Sequence, residues 1–548
     1  MRRALPWLAV AALCAAAALA RWRIADLADW GIDEAANLWL GSLILAGEAP
    51  TLGLVSSTGT PNLAGAPLLA AALARLPDLL AVSRVLSLLQ LAALVALAMV
   101  LARGRGRTTA VATLAFCPAA VLASPSLWSQ YLALPINAVI TTVLVVLVDR
   151  PDENPRATGS DSAMLLVALL LLQPAVHLAG FADLAAQGGL ALALLGLRAR
   201  RVRQVGVELG VAIATAAAFF LYGPWLVRIS GLAQRTVLAG YIAAAVAAVV
   251  AAAAIDGRLM PLARRVAEWR WLAWSVPLVL TACVGASALA FYGSQVGARL
   301  LIGDRAGTVL LAAEIVLAAM ALPALPAMFA DCLAGHSVRE LLGAWFGERA
   351  GAAAVLVANA GLLLVARAAL VPAAFVSNGR PDLLLPLLPS LLAPSLLLAI
   401  AAAQPVLRAW AAVGAGIAAT VVVAFAAVGP SQRFWQAYPF FLPPSEMRTL
   451  VDWLAAQPDA VGGDGRLDIG YDLGRDALVR VACSPITPWY TASRPFDWLF
   501  LRRHELRDRR EGSCQRTGDG RYLVTYSAAP PPPARQLRLS LPHLSVWQ

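Results

Sequence analysis

Residues 82–102 read VSRVLSLLQLAALVALAMVLA, 21 positions in which Arg84 is the only charge. A helix rising about 1.5 Å per residue needs about 20 apolar residues to cross a hydrocarbon layer about 30 Å thick. This stretch therefore has the length of one crossing. Arg103, Arg105 and Arg107 follow it directly, as expected where a helix leaves the bilayer on its basic side. Similar stretches recur on both sides of it. Crossings are expected near 4–20, 82–102, 108–124, 127–148, 163–178, 180–197, 206–226, 236–255, 272–292, 307–325, 351–372, 383–403 and 410–429, about thirteen in all. The fold class is that of a polytopic α-helical membrane protein.

Composition agrees. Hydrophobic residues make up 60% of the 548 and charged residues 14%, against roughly 45–50% and about 25% in a soluble domain. Mean hydropathy is +0.72. The net charge of +11 does not indicate a nucleic-acid binder, because its arginines lie between apolar segments; all 43 basic residues are arginine. In the short loops and helix ends, arginine favours one side by about two to one, with Arg2, Arg3, Arg103, Arg107, Arg198 and Arg349 on the richer side. That excess predicts a cytoplasmic N-terminus and, with an odd number of crossings, a C-terminus outside the membrane of a bacterial cell. The basic start and small residues of 1–20 also fit a cleaved signal peptide.

Two regions are not simple crossings. Residues 21–81 form a long outer loop within a transmembrane domain spanning 1–429. There, 34–47 has the apolar pattern of a helix lying along the interface, with Gly47 as a stop, and 61–77 resembles a second one. Residues 430–548 regain charge, and alternation over 466–471, 497–502 and 521–526 predicts strands of a small extracytoplasmic α/β domain. The proline run 530–533 is expected to separate its last strand from a loose end. Cys483 and Cys514 are candidates for a disulfide there. The histidines are scattered and no CxxC occurs, so no transition-metal site is visible and no cofactor is expected, with a divalent metal left open.

The chemistry-bearing stretch is Asp29-Trp30-Gly31-Ile32-Asp33-Glu34-Ala35-Ala36-Asn37. A carboxylate opening a helix is held ionised by the helix dipole and can accept a proton from a hydroxyl arriving at the membrane surface. Asp33 and Glu34 have that position, and capping of the helix is the alternative reading. Further on come Pro67-Leu68-Leu69, Ser83-Arg84-Val85-Leu86-Ser87 and Ser124-Pro125-Ser126-Leu127-Trp128-Ser129-Gln130-Tyr131. Glu314 and Arg367 lie within crossings, in the outer parts of oppositely running helices; an ion pair between them is expected, or Arg367 facing a ligand phosphate. Arg21, Arg23, Arg299 and Arg305 are further outer-facing arginines, and Trp22, Trp30, Trp39 and Trp128 have the placement of interfacial anchors.

A short first helix, an outer loop with Asp-Glu-Ala heading an interfacial helix, the proline segment, and the Arg-x-x-Ser that opens the second crossing together resemble the GT-C glycosyltransferases. The similarity is to the protein O-mannosyltransferase-like family and the lipid A aminoarabinose transferases, and it covers roughly 20–150. The resemblance implies a GT-C fold. It also implies an enzyme moving a sugar, with inversion, from a polyprenyl-phosphate carrier to a cell-envelope acceptor on the outer face of the inner membrane. Asp33 would then be the general base, with Glu34 beside it, and Arg84, Gln130, Tyr131 and Arg367 would contact substrate. One carboxylate would suffice, because a lipid phosphate leaves as a stable anion and needs positive charge rather than a proton. The loop 124–131 carries no acid, unlike many such enzymes. A multi-pass transporter or lipid-linked-sugar flippase is the alternative, with Pro323, Pro326, Pro386, Pro389 and Pro394 as places where helices could break, although no internal repeat is seen.

Overall fold

The computed structural model describes residues 5–27, 32–45, 47, 52–55, 61–76, 79–104, 106–149, 159–177, 179–191, 194, 275–292, 305–336, 338–370, 381–401, 405–429, 444–457, 459, 469–472, 521–527, 529–542 and 544–548. The crossings expected near 206–226 and 236–255, the strand expected over 497–502, Arg299, and both Cys483 and Cys514 lie outside the described residues.

Among the described residues, seven helices are long and apolar enough to cross a membrane: Leu5–Ile24, Leu80–Leu101, Ser129–Val148, Gly307–Ala324, Gly343–Leu370, Leu383–Ala401 and Pro405–Val428. The chain is a helical membrane protein. The first helix, α1 (Leu5–Ile24), leads through a short turn into α2 (Ile32–Leu45). A two-stranded antiparallel ribbon, β1 (Leu52–Val55) with β2 (Pro61–Leu63), and α3 (Gly65–Leu73) complete the first loop. Of the second interfacial helix expected over 61–77, Gly65–Leu73 is helical, while 61–64 and 74–76 are strand, turn and bend. The chain continues through α4 (Leu79–Leu101), α5 (Gly106–Ala115), α6 (Pro118–Ala123), α7 (Ser129–Asp149) and α8 (Gly159–Val176). Then α9 (Gly180–Asp183) runs into a π-helical turn at Leu184–Gly188.

Beyond the undescribed segment stand α10 (Ser275–Tyr292) and α11 (Arg305–Ala318), the latter tightening into a 3-10 turn at Ala319–Ala324. Next come α12 (Leu325–Leu333), α13 (Val338–Phe346) and α14 (Ala350–Leu370). A 3-10 turn at Pro381–Leu387 enters α15 (Leu388–Ala401), and α16 (Pro405–Val428) closes the bundle. Pro323 and Pro386 sit in those two 3-10 turns, where a residue without an N–H costs no α-helical bond.

Helix α15 is buried nearly all round, from Leu388 to Ala399, and is the core of the bundle. By contrast α16 exposes Val406, Trp410, Val413, Ile417 and Val423, as a helix facing lipid does. First-loop helices α2 and α3 pack backbone to backbone: a Cβ added at Gly41 would stand 2.6 Å from the Ala71 nitrogen. Helix α2 ends where its outline predicts, at Gly47 with φ +87°, a conformation glycine adopts without strain.

The expected third crossing is not one helix. It divides at Cys117-Pro118 into α5 and α6, with Cys117 at ψ 114°. Pro118 has no N–H, so the break leaves helix-end groups within the apolar layer, where water cannot satisfy them. Two buried charged residues do so instead. The Arg21 guanidinium donates to the Ala115 carbonyl (3.2 Å) and to Gln90 Oε1 (2.8 Å). The Glu314 carboxylate accepts from the Ala119 N–H (3.2 Å) and the Cys117 thiol (3.4 Å). The cation meets the carbonyl end of α5 and the anion meets the amide end of α6, as the helix dipoles favour. Arg21, expected to face outward, is instead buried at the end of α1.

The tail contributes α17 (Pro444–Ala455) and a four-stranded mixed sheet ordered β3 (Ile469–Asp472), β4 (Tyr522–Tyr526), β6 (Leu544–Trp547), β5 (Leu537–Ser540). Strand β3 is parallel to β4; the other two pairings are antiparallel. The end beyond the proline run is therefore not loose. It folds back as a hairpin that buries Leu544 and Val546 against β4. Alternation was too short there to reveal it: each strand has four residues.

Candidate functional site

At the end of the bundle that carries the first loop, three segments far apart in sequence are tied together. Glu34, in the first turn of α2, is buried and accepts a hydrogen bond from Ser126 Oγ at 2.6 Å. One turn on, Asn37 Nδ2 donates to the Leu127 carbonyl at 3.2 Å. Ser126 Oγ also accepts from the Trp128 N–H, and Ser124 Oγ donates to Ser87 Oγ at 3.1 Å. The loop 124–128 is thus pinned to α2 on one side and to the opening turns of α4 on the other. Glu34 thus places a carboxylate against this loop, which has no acid in its own sequence.

Arg84 lies beside Ser83 and Ser87 near the start of α4. Its guanidinium stacks over the Trp22 ring, 4.2 Å from the centroid, and its Nε is buried without a hydrogen-bond partner among the described residues. A stacked guanidinium keeps its in-plane N–H groups available for an oxygen anion. Trp22 is 43% exposed, consistent with an interfacial position. Gln130 and Tyr131 fall in the first turn of α7 and are buried, with the Tyr131 ring edge-on to Trp128 at 4.9 Å. Asp33 is in the first turn of α2, one residue before Glu34. Its side chain, like that of Trp39, lies outside what is described, as does Trp30 altogether. Asp26 fastens the tail to the same region by accepting from the Ser445 N–H at the start of α17 (2.8 Å).

Arg367 does not join this group, nor does it pair with Glu314. Its Nε and Nη2 donate to the two carboxylate oxygens of Asp183, at 2.7 and 2.6 Å, and its Nη1 donates to the Leu383 carbonyl at 2.9 Å. Both side chains are 1% exposed. Matching depth in two helices said nothing about which way each side chain points around its axis. Asp183 presents a planar carboxylate to the guanidinium fork in a bidentate, charge-assisted pair, and Glu314 is held by the broken helix. Asp183 went unremarked in the sequence; a lone acid in an otherwise apolar run at the depth of Arg367 was the available signal.

The same helices carry three buried amides in a chain. Gln173 Nε2 on α8 donates to Gln187 Oε1 (2.9 Å), and Gln187 Nε2 donates to Asn359 Oδ1 on α14 (3.2 Å). Among the described residues no three His, Cys, Asp or Glu side chains converge as a metal would require.

In the tail, the Tyr522 hydroxyl donates to Asp459 Oδ1 at 2.5 Å and Arg521 lies 2.9 Å from the other oxygen. The Tyr522 bond, seconded by Arg521, holds the Asp459 carboxyl below its ordinary range. Burial, and then the same bond, push the Tyr522 hydroxyl up. Compared with family models, curated proteins and solved structures, the chain finds no match.

Proposed function

We propose that the protein is a membrane glycosyltransferase that takes a sugar from a polyprenyl-phosphate carrier and passes it to a hydroxyl of a cell-envelope acceptor on the outer face of a bacterial inner membrane. The reading is carried by one observation: the opening turn of α2 is locked to loop 124–128 by Glu34–Ser126 and Asn37–Leu127, at the end of α4 that bears Arg84. It draws further support from the order of the motifs in the first 150 residues.

In this reading Asp33 is the general base. It accepts the proton of the attacking hydroxyl, and the N-terminal dipole of α2 keeps the carboxylate ionised. Glu34 is a positioning residue, because its carboxylate is engaged by Ser126. Arg84 neutralises the phosphate that leaves with the lipid, and Gln130 and Tyr131 border the sugar through their place at the head of α7. Arg367 serves the bundle through Asp183 rather than the donor lipid.

Incubation of the purified chain with a panel of polyprenyl-phosphate sugars tests this directly. Transfer or hydrolysis is expected with at least one donor. Asp33→Asn should abolish it at unchanged expression, and Arg84→Ala should raise KM for the donor. Full activity in Asp33→Asn would overturn the assignment of the base.

A transporter or lipid-linked-sugar flippase is the second reading, favoured by the helix divided at Cys117-Pro118 with charges at both broken ends. Movement of a labelled polyprenyl-phosphate sugar across proteoliposome membranes without bond cleavage would select it.

A further inference from the structure

The amide chain Gln173–Gln187–Asn359 is unfinished at both ends. Among the described residues Gln173 Oε1 and Asn359 Nδ2 are buried and have no hydrogen-bond partner, while the three side chains are at most 1% exposed. One end therefore offers an acceptor and the other a donor. Turning all three amides over reverses the direction of the chain but still leaves one acceptor and one donor at its ends, so either orientation calls for the same pair of partners. In an apolar layer such groups retain their cost unless something completes them.

The surroundings limit what that is. The nearest charges along the same elements are Asp183, four residues before Gln187, and Arg367, eight after Asn359; they neutralise each other in a two-bond pair. Along these elements an ion would meet no net opposite charge. Gln187 stands in a π-helical turn, a widened geometry that recurs at functional positions in helices. Gln173 is one turn from the end of α8, whose last residues touch α3 of the first loop: a Cβ on Gly65 would lie 2.5 Å from the Ala175 carbonyl. The chain thus begins just beneath the loop that carries the candidate site.

We propose that Gln173, Gln187 and Asn359 form an intramembrane binding site for uncharged hydroxyl groups, one accepting from Asn359 and one donating to Gln173. A hydroxyl both donates and accepts, which is what the two ends require. Water and the sugar headgroup of a neutral lipid share that chemistry. The site stands apart from the proposed transferase activity and does not depend on it.

The test is solid-state NMR of the full chain in liposomes, with ¹⁵N-labelled Asn and Gln, the Asn359 side-chain signal being the one lost in Asn359→Leu. Magnetisation transfer to the Asn359 side-chain protons is read in plain liposomes and in liposomes containing monoglucosyl diacylglycerol. Transfer from water in both samples supports the site with water as its occupant. Transfer from glucosyl protons, with loss of the water signal, supports it with a headgroup as occupant. An assigned Asn359 signal that receives transfer from neither source overturns the proposal. Because the measurement is made on the wild-type chain, misfolding of the variant cannot mimic that outcome.

Discussion

Replacing Arg367 by methionine, which has similar length and no charge, leaves the Asp183 carboxylate buried without its partner. The structure gives the size of the effect. The two charge-assisted hydrogen bonds to Asp183 are lost, each worth about 1.5–3 kcal/mol and together about 3–6 kcal/mol, and the bond to the Leu383 carbonyl goes with them. Measured losses of one member of a buried pair, about 3–5 kcal/mol, fall in the same range and correspond to about two to three and a half decades in the unfolding equilibrium. The double variant Asp183→Leu/Arg367→Met removes both charges together. It abandons only the bond to the Leu383 carbonyl and should lie within about 1–2 kcal/mol of the wild type. Equilibrium unfolding of Arg367→Met, Asp183→Leu and the double variant in mixed micelles measures both quantities. A single variant as stable as the wild type, or a double variant as unstable as the sum of the singles, would refute the view that Asp183 and Arg367 exist for each other. The double variant also separates stability from chemistry: it should retain transferase activity, whereas an arginine that held the donor phosphate would take that activity with it.

Other expectations follow from single contacts. Gly41→Ala places a Cβ 2.6 Å from the Ala71 backbone, which cannot yield as a side chain would; a loss of about 1–3 kcal/mol is expected in the same unfolding assay. Glu34→Gln should lower kcat less than Asp33→Asn does, and Ser126→Ala, which removes both the bond to Glu34 and the one from the Trp128 N–H, should lower it at least as much as Glu34→Gln. In the tail, the depressed Asp459 carboxyl contributes stability that is present above the ordinary carboxylate range and lost as the pH falls through its folded value. The Tyr522 hydroxyl, raised in the folded state, contributes stability below its ordinary value that disappears as the pH rises through the folded one. Near-ultraviolet dichroism of Trp453, stacked edge-on to Tyr522 at 5.7 Å, should follow both limbs, and Asp459→Asn should flatten the acid one.

The helical membrane character and the place of the seven crossings found among the described residues were written in the chain, because the thickness of a bilayer sets how many apolar residues a crossing needs and hydropathy reads that count directly. The opening of α2 and its stop at Gly47 were legible for a similar reason: caps and glycine stops act within a few residues. Which side chains meet was not legible. Glu34 and Ser126 are 92 positions apart, Asp183 and Arg367 are 184, and Cys117 and Glu314 are 197. Hydropathy fixes the depth of a residue but not its rotation about the helix axis or the neighbour its helix packs against. The break at Cys117-Pro118 depended equally on tertiary structure, since a proline in an apolar run is tolerated as a kink or as a full interruption according to what is at hand to satisfy the freed backbone. Here Arg21 and Glu314 are at hand, delivered by helices that only the folded bundle brings alongside.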